Sequence, residues 1–178
     1  MYGRPNNTFS QTFTVETFFL TDSLYDPANE IYRGDPQPSR RGAYAIGMQG
    51  EETRENDLLA LGFDLAGRRF LEISLDVTPI GLFQTNIPYL WTYDDAILKL
   101  SLLDDPSGRV PVSGAAELDS QTITAEATTD PWLYNWQPFR VTLDGQGSTN
   151  GRISIVWDFK NQGYNLFDNV NIRAVDDC

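Results

Sequence analysis

The sequence predicts an all-β protein, folded as a sandwich of two antiparallel β-sheets. Apolar and polar residues alternate with a period of two in several segments, as in strands that bury one face. No segment carries the apolar period of a helix over about ten residues. Clusters of Gly, Pro, Asp and Asn separate the alternating segments, as turns between strands require. Together these observations favour two packed sheets over a mixed fold.

The predicted strands follow one another along the whole chain. The first long strand spans residues 9–20, and the last spans residues 163–173. Between them we predict strands at residues 42–48, 58–65, 70–77, 96–103, 110–112, 121–128, 139–143 and 153–159, with a short extended piece at 30–32. In the turn at 66–69, Gly67 is expected to adopt a positive φ. The glycine-rich residues 144–151 predict a hairpin connection.

The length of 178 residues suits one domain with a sizeable core. We expect residues 1–8, which are polar and contain Gly and Pro, to form a flexible lead-in, and residues 9–178 to form the single domain. No apolar run is long enough to span a bilayer, so we expect no membrane insertion. The first residues lack the apolar region of a signal peptide, which does not argue against secretion.

The charge and the missing residue types exclude several functions. The net charge is −12, which disfavours binding to nucleic acid and to anionic membranes. There is no histidine, so catalysis by Ser/His/Asp or Cys/His and histidine-ligated zinc are excluded. The single cysteine, Cys178, can form neither an intrachain disulfide nor a thiolate metal cluster.

Asp168 is the unusual residue of the last predicted strand. It lies between Phe167 and Asn169, in the middle of a segment where Leu166, Val170 and Ile172 mark a half-buried strand. Aspartate is a poor strand former, so its carboxylate needs compensation there. A backbone donor, an arginine or a cation could each supply it.

The C-terminal half resembles a known fold family. Residues 136–143 begin with a tryptophan, residues 151–157 follow a glycine-rich connection, and residues 164–172 contain Asp-Asn-Val. This succession resembles the last three strands of galactose-binding-like jelly-roll domains, and residues 41–47 and 61–74 resemble their middle strands. The resemblance covers residues 9–175 and implies a jelly roll. That group includes carbohydrate-binding modules and bacterial surface proteins, which implies an extracellular or cell-surface location.

The resemblance also implies a structural calcium ion. In many such jelly rolls calcium ties the first strand region to the last strand, and Asp168 matches the aspartate ligand of the last strand. Asp22 and Asp35 are the candidate N-terminal ligands, with Glu16 as a third. Calcium prefers about six to eight oxygen ligands, which irregular backbone and carboxylates supply. The alternative is that backbone N–H groups or Arg41 stabilise Asp168.

A carbohydrate or cell-surface polymer is the partner that the resemblance and the aromatic residues favour. Sugar recognition uses aromatic faces together with planar hydrogen-bonding groups. The candidate ligand-binding residues lie in predicted loops: Tyr89, Trp91, Tyr93, Trp132, Tyr134 and Asn135. For Trp91 and Trp132, packing within the fold is an equal alternative, because tryptophan is often only partly buried. Trp136 and Trp157 are expected to pack in the core or against a sheet.

We therefore predict a non-catalytic extracellular binding module, with carbohydrate as the ligand class and calcium as a structural ion. The alternative is a structural or adhesive cell-surface domain without a small-molecule site. An enzyme is not predicted, since no pair among the 25 acidic residues is distinguished by its spacing. Neighbours such as Asp94 and Asp95 would point to opposite faces of a strand.

Overall fold

A computed structural model of the chain shows two antiparallel sheets that pack face to face around one core. The structure describes residues 2–3, 15–19, 24–26, 31–33, 44–50, 58–80, 95–105, 115–127, 134–148, 151–161 and 163–176. The strands are β1 (Tyr2–Gly3), β2 (Val15–Phe19), β3 (Leu24–Asp26), β4 (Ile31–Arg33), β5 (Tyr44–Gly50), β6 (Leu58–Asp64), β7 (Phe70–Ile80), β8 (Ala96–Asp104), β9 (Ala116–Ala125), β10 (Gln137–Asp144), β11 (Arg152–Phe159) and β12 (Gly163–Val175).

The two sheets have five strands each. The first sheet has the order β1-β6-β11-β8-β9, and the second has the order β10-β7-β12-β5-β2. A separate hairpin pairs β3 with β4. From β9 to β12 the chain alternates between the sheets at every step, so each connection crosses the edge of the sandwich. The predicted fold class, an antiparallel two-sheet jelly roll, is confirmed.

The glycine-rich connection at 144–151 is not a hairpin, contrary to the prediction. It joins β10 of the second sheet to β11 of the first, and hairpin partners must share a sheet. Gly147 and Gly151 adopt positive φ angles of 104° and 65°, which turn the chain between the layers. Gly145 permits a close approach, because a Cβ there would lie 2.7 Å from Cδ1 of Leu65.

Large aromatic side chains fill the space between the sheets. The ring of Trp157 on β11 lies nearly parallel to that of Phe167 on β12, with centroids 6.4 Å apart and an interplanar angle of 7°. Phe159 packs on the same Phe167 ring at 6.3 Å. All three side chains are buried, and such rings dominate core energetics because each removes a large apolar area from water. The expectation that Trp157 packs in the core is confirmed.

The two sheets are also joined at one side by side-chain hydrogen bonds between their edge strands β9 and β10. Asp119 Oδ2 accepts from the backbone N–H of Asp144 at 2.8 Å, and Gln121 Nε2 donates to the carbonyl of Thr142 at 2.8 Å. Glu126 and Gln137 extend this seam of side-chain hydrogen bonds. The N–H of Glu126 donates to Oε1 of Gln137, and Nε2 of Gln137 donates to the carbonyl of Glu126. The edges are thus connected without forming a backbone ladder.

Several strand limits differ from those predicted. The described part of the predicted strand 9–20 is Val15–Phe19, and the predicted strand 110–112 lies outside the described residues. β9 begins at Ala116, well before the predicted start at 121, because its polar edge residues carry little alternation. Gly67 has the predicted positive φ, at 78°.

At the start of the chain, Tyr2–Gly3 pairs with β6, and the rest of the predicted lead-in lies outside the described residues. Backbone bonding to a sheet edge needs no apolar pattern that the sequence could reveal.

None of the described residues forms a helix long and apolar enough to cross a membrane.

Candidate functional site

A β-bulge in β12 shapes the outer face of the second sheet. Asp168 pairs with Asp76 of β7, but the next paired residue is Asn171, which lies opposite Ser74. Asn169 and Val170 therefore face one residue of β7, which is the geometry of a bulge. Asn169 has a φ of 52°, a left-handed conformation that asparagine tolerates better than most residues.

The bulge explains why aspartate is accepted at position 168. Oδ1 of Asp168 accepts a 2.7 Å hydrogen bond from the backbone N–H of Asn169. That N–H belongs to a bulge residue, and bulged residues are left out of the regular ladder. Of the three means of compensation expected from the sequence, the structure shows the backbone donor.

An open hollow of about 440 Å³ lies beside the bulge. Ser74 and Asp76 belong to the face of β7 that is turned away from the core, because they alternate with the core residues Leu75 and Val77. The lining residues are Ser74, Leu75, Asp76, Pro138, Phe139 and Asn169. The side chains of Ser74 and Pro138 are small, so they leave a depression in the surface of the sheet. Asn169, which belongs to the bulge, lines one side of this depression.

One hydrogen bond fixes the polar groups of the hollow relative to one another. Nδ2 of Asn169 donates to Oδ2 of Asp76 at 2.8 Å. With the hydroxyl of Ser74, the hollow thus holds a carboxylate, an amide and a hydroxyl. These groups can donate and accept hydrogen bonds within a small area.

A charged cluster adjoins the hollow on the same face. Glu72 of β7 lies between Arg140 of β10 and Arg173 of β12. Nε of Arg140 donates to Oε2 at 2.7 Å, and Nε of Arg173 donates to Oε1 at 2.5 Å. The hydrogen bond from Arg173, followed by that from Arg140, holds the pKa of Glu72 below the ordinary glutamate value, although desolvation acts in the opposite direction.

The face therefore carries positive charge at one end and negative charge at the other. Glu72 and Asp76 are four residues apart on β7, which separates their Cα atoms by roughly 13 Å. Asp168 faces Asp76 directly across the ladder, so two carboxylates lie at the end remote from the arginines.

The structure describes two of the six predicted ligand-binding residues. Tyr134 is buried, with 3% of its surface exposed, and stacks on Trp136 with centroids 6.1 Å apart. Its ring is therefore not the exposed platform that we expected, because it packs against a neighbouring aromatic ring. Trp136 itself is partly buried, in agreement with the expectation that it packs against the sheet.

Asn135 is half-buried and is bonded to the end of β7. Its backbone N–H donates to Oγ1 of Thr78 at 3.0 Å, and its Nδ2 donates to the carbonyl of Glu126 at 3.0 Å. Thr78 is two residues from Asp76 along β7, so the segment at 134–136 borders the acidic end of the face. The other four predicted residues lie outside the described residues: Tyr89, Trp91, Tyr93 and Trp132.

The described residues do not by themselves build a metal centre around Asp168. Within these residues, no group of three acidic side chains is close enough to hold an ion. Asp76 is the neighbouring carboxylate, and it already accepts a hydrogen bond from Asn169. The expected ligands Asp22 and Asp35 lie outside the described residues, and Glu16 lies on β2 opposite Gly47. A calcium ion at Asp168 would need further ligands from outside the described residues.

The residues of the hollow and of the charged cluster were not predicted from the sequence. Glu72, Arg140 and Arg173 come from three distant parts of the sequence, and only the strand order places them together. Asn169 carried a usable signal, because an Asp-Asn pair inside a strand pattern is consistent with a bulge and a positive φ.

Comparison with known proteins gives a likeness in fold. No family model and no curated protein sequence matches the chain. Among solved structures, a CBM4 carbohydrate-binding module aligns with a TM-score of 0.50 and 11% identity, over 72% of this chain and 70% of the module. This likeness supports a jelly-roll fold for the chain.

Other modules align with this jelly roll at lower scores. TmCBM61, solved with β-1,4-galactotriose, aligns with a TM-score of 0.44 and 10% identity, over 89% of this chain and 81% of the module. CBM27-1 of Caldicellulosiruptor saccharolyticus, solved with mannohexaose, aligns with a TM-score of 0.41 and 15% identity, over 97% of this chain and 91% of the module.

Proposed function

We propose that this jelly roll is a non-catalytic, extracellular module that binds carbohydrate on the outer face of its second sheet. The observation that carries the proposal is the open hollow of about 440 Å³ in which Asp76 and Asn169 are held together. Its size and its mixture of polar and apolar lining suit a sugar unit.

The polar groups of the hollow match the needs of a sugar ring. Each hydroxyl of a sugar can donate one hydrogen bond and accept others. A carboxylate can accept from one hydroxyl, while a neighbouring amide donates to or accepts from the next. The 2.8 Å bond between Asn169 and Asp76 orders both side chains before a ligand arrives. This ordering lowers the entropy cost of binding.

Aromatic residues outside the described part of the chain are proposed to complete the site. Trp132 lies just before Tyr134 and Asn135 in the sequence, and Asn135 is bonded to Thr78, two residues from Asp76 of the hollow. We propose Trp132 as a stacking platform. Tyr89, Trp91 and Tyr93 are proposed as further stacking residues.

The two facing carboxylates are proposed to hold the bulge rather than to catalyse glycoside cleavage. Asp168 accepts from the backbone N–H of Asn169, and Asp76 accepts from the side chain of the same residue. Both acids thus stabilise Asn169 in its left-handed conformation, which is a structural task.

Calcium is a separate part of the proposal. The ion would join Asp168 to Asp22 and Asp35, and it would tie the last strand to the N-terminal region. It would contribute to stability and would take no part in sugar recognition.

The proposal is tested by calorimetric titration of the protein with a panel of neutral and acidic glycans. We expect one or more of them to bind, and Asp76→Ala and Asn169→Gly each to weaken that binding about tenfold or more. Glu117→Gln is the matched control, because Glu117 is an exposed acid on β9 of the other sheet and pairs with Lys99. Trp91→Ala and Trp132→Ala test the platform. Absence of binding to every glycan would contradict the proposal and favour a structural or adhesive domain.

A further inference from the structure

The charged cluster beside the hollow specifies the kind of sugar. We infer that the module binds a polysaccharide with uronic-acid residues, whose carboxylates bind Arg140 and Arg173 while a neighbouring sugar unit occupies the hollow. This inference rests on the proposed function and narrows its ligand class.

The two arginines are bound to Glu72 and keep donors for a ligand. Glu72 receives one arginine on each of its two carboxylate oxygens and is largely covered, with 16% of its side chain exposed. The side chains of Arg140 and Arg173 are 62% and 57% exposed. Arg140 donates to Glu72 through Nε and one terminal nitrogen, and Arg173 donates to Glu72 through Nε. The remaining terminal nitrogens can donate to a second carboxylate.

The charge balance of this cluster differs from that of the other described ion pairs. Elsewhere in the described part of the chain each pair joins one cation to one carboxylate, as in Arg68 with Asp176 and Lys99 with Glu117. Here two guanidinium groups share one carboxylate, which leaves a local charge of +1 on a chain of net charge −12. Such a local excess can attract an anion although the whole protein is acidic.

The position of the cluster fits a chain of sugar units. Arg140 and Asn171 both lie opposite Ser74, which lines the hollow, so the arginine end begins where the hollow ends. The Cα atom of Asp76 is roughly 13 Å along the strand from that of Glu72, which holds both guanidinium groups, and this exceeds the screening length of about 8 Å at physiological salt. Asp76 therefore repels a carboxylate at the arginines only weakly.

A carboxylate suits these donors because of its shape. The guanidinium group is planar, and its forked donors match the two oxygens of a carboxylate. The two guanidinium groups from β10 and β12 can thus bind carboxylates that a polysaccharide presents along its length.

The test compares acidic polysaccharides with chemically matched neutral ones. Polygalacturonate, alginate and glucuronoxylan are titrated into the protein by calorimetry, each beside its carboxyl-reduced form, in which the uronate has become a neutral sugar of the same backbone. We expect at least one acidic form to bind about tenfold more tightly than its reduced form, because charge-assisted hydrogen bonds are involved. The difference should shrink as the salt concentration rises.

Variants assign the preference to the cluster. Arg140→Gln and Arg173→Gln should each remove most of the preference for the acidic form and leave binding of the reduced form nearly unchanged. Arg68→Gln is the matched control, because Arg68 is an exposed arginine paired with Asp176 away from the hollow. Glu72→Gln should strengthen the preference, since it removes the anion that competes for the two arginines.

The possible results separate this inference from the proposed function. Equal binding of acidic and reduced forms, lost in Asp76→Ala, would overturn the inference and leave the proposed function standing. A comparable gain for dextran sulfate over dextran would overturn it as well, since simple charge attraction would then suffice. Absence of binding to any of these glycans would overturn both.

Discussion

The side-chain amide of Asn169 donates a 2.8 Å hydrogen bond to the carboxylate of Asp76, across a bulge between the neighbouring strands β12 and β7. Through this contact, the backbone conformation of the bulge determines where polar groups lie on the surface. The left-handed φ of Asn169 places its amide beside the hollow, and Asp76 then fixes the direction of that amide. A change at position 169 therefore affects both stability and the proposed site.

Substitutions at Asn169 should separate these two effects. Asn169→Ala places a Cβ in the left-handed region and removes the amide, so we expect it to lower the free energy of unfolding by about 1–2 kcal/mol. Asn169→Gly also removes the amide but relieves the backbone strain, so its cost should be smaller by about 1 kcal/mol. Urea unfolding measures both variants. Equal costs would contradict the role of the backbone conformation.

Core variants of Trp157 should show that its ring contributes by packing and not by its polar atom. Nε1 of Trp157 is buried and has no hydrogen-bond acceptor among the described residues. We expect Trp157→Ala to cost about 3–5 kcal/mol, because it leaves a cavity beside Phe167. Trp157→Phe should cost much less, because it keeps most of the stack and removes a buried donor that lacks a partner. Guanidinium unfolding provides the comparison, and similar costs for the two variants would contradict it.

Low pH should lower the free energy of unfolding, partly through protonation of Glu72. Because its arginine partners lower the pKa of Glu72 in the folded protein, the ionised carboxylate stabilises the folded state above the ordinary value of 4.5. This stabilisation should disappear as the pH falls from that value through the lower folded pKa. The pKa values of Glu117 and Asp144 are also lowered, by hydrogen bonds from Lys99 and Arg69, and act in the same direction.

The contribution of Glu72 is measured as the loss of unfolding free energy between neutral and acidic pH. Glu72→Gln should show a smaller loss than the parent protein, because the substituted side chain does not titrate. An identical pH dependence in the two proteins would exclude Glu72 as a contributor.

Removal of calcium should lower the melting temperature by several degrees if the ion ties Asp168 to the N-terminal region. The measurement is a thermal melt with and without EDTA, on protein shown beforehand to contain calcium. Asp168→Asn should reduce the calcium content and the effect of EDTA together. An unchanged melt of the metal-loaded protein would rule out this role of the ion.

The fold was largely predictable because the period of two is a local property of the sequence. β7 and β11 have clear alternation or long apolar runs, and their limits agree with the predictions within a few residues. β9 was harder to delimit, because an edge strand has one exposed side and needs little apolar surface. The false hairpin at 144–151 has a different cause, since turn residues do not reveal whether the chain returns to the same sheet.

The site was much less predictable, because it depends on which strands become neighbours. Glu72 and Arg173 are separated by 101 positions in sequence, and their contact follows from the pairing of β7 with β12. Aromatic residues in predicted loops suggested a binding surface, but Tyr134 shows that a loop aromatic can be buried. Asp168 was recognised as unusual from its local context, which is the information that one sequence carries.

The side-chain seam between β9 and β10 has a consequence for how the protein behaves in concentrated solution. An outermost strand normally offers unbonded N–H and carbonyl groups, to which a strand of another molecule can add. On β10, the carbonyl of Thr142 and the N–H of Asp144 are already bonded to Gln121 and Asp119. The same contacts that close the sandwich therefore protect this edge from intermolecular strand addition and from the aggregation that would follow.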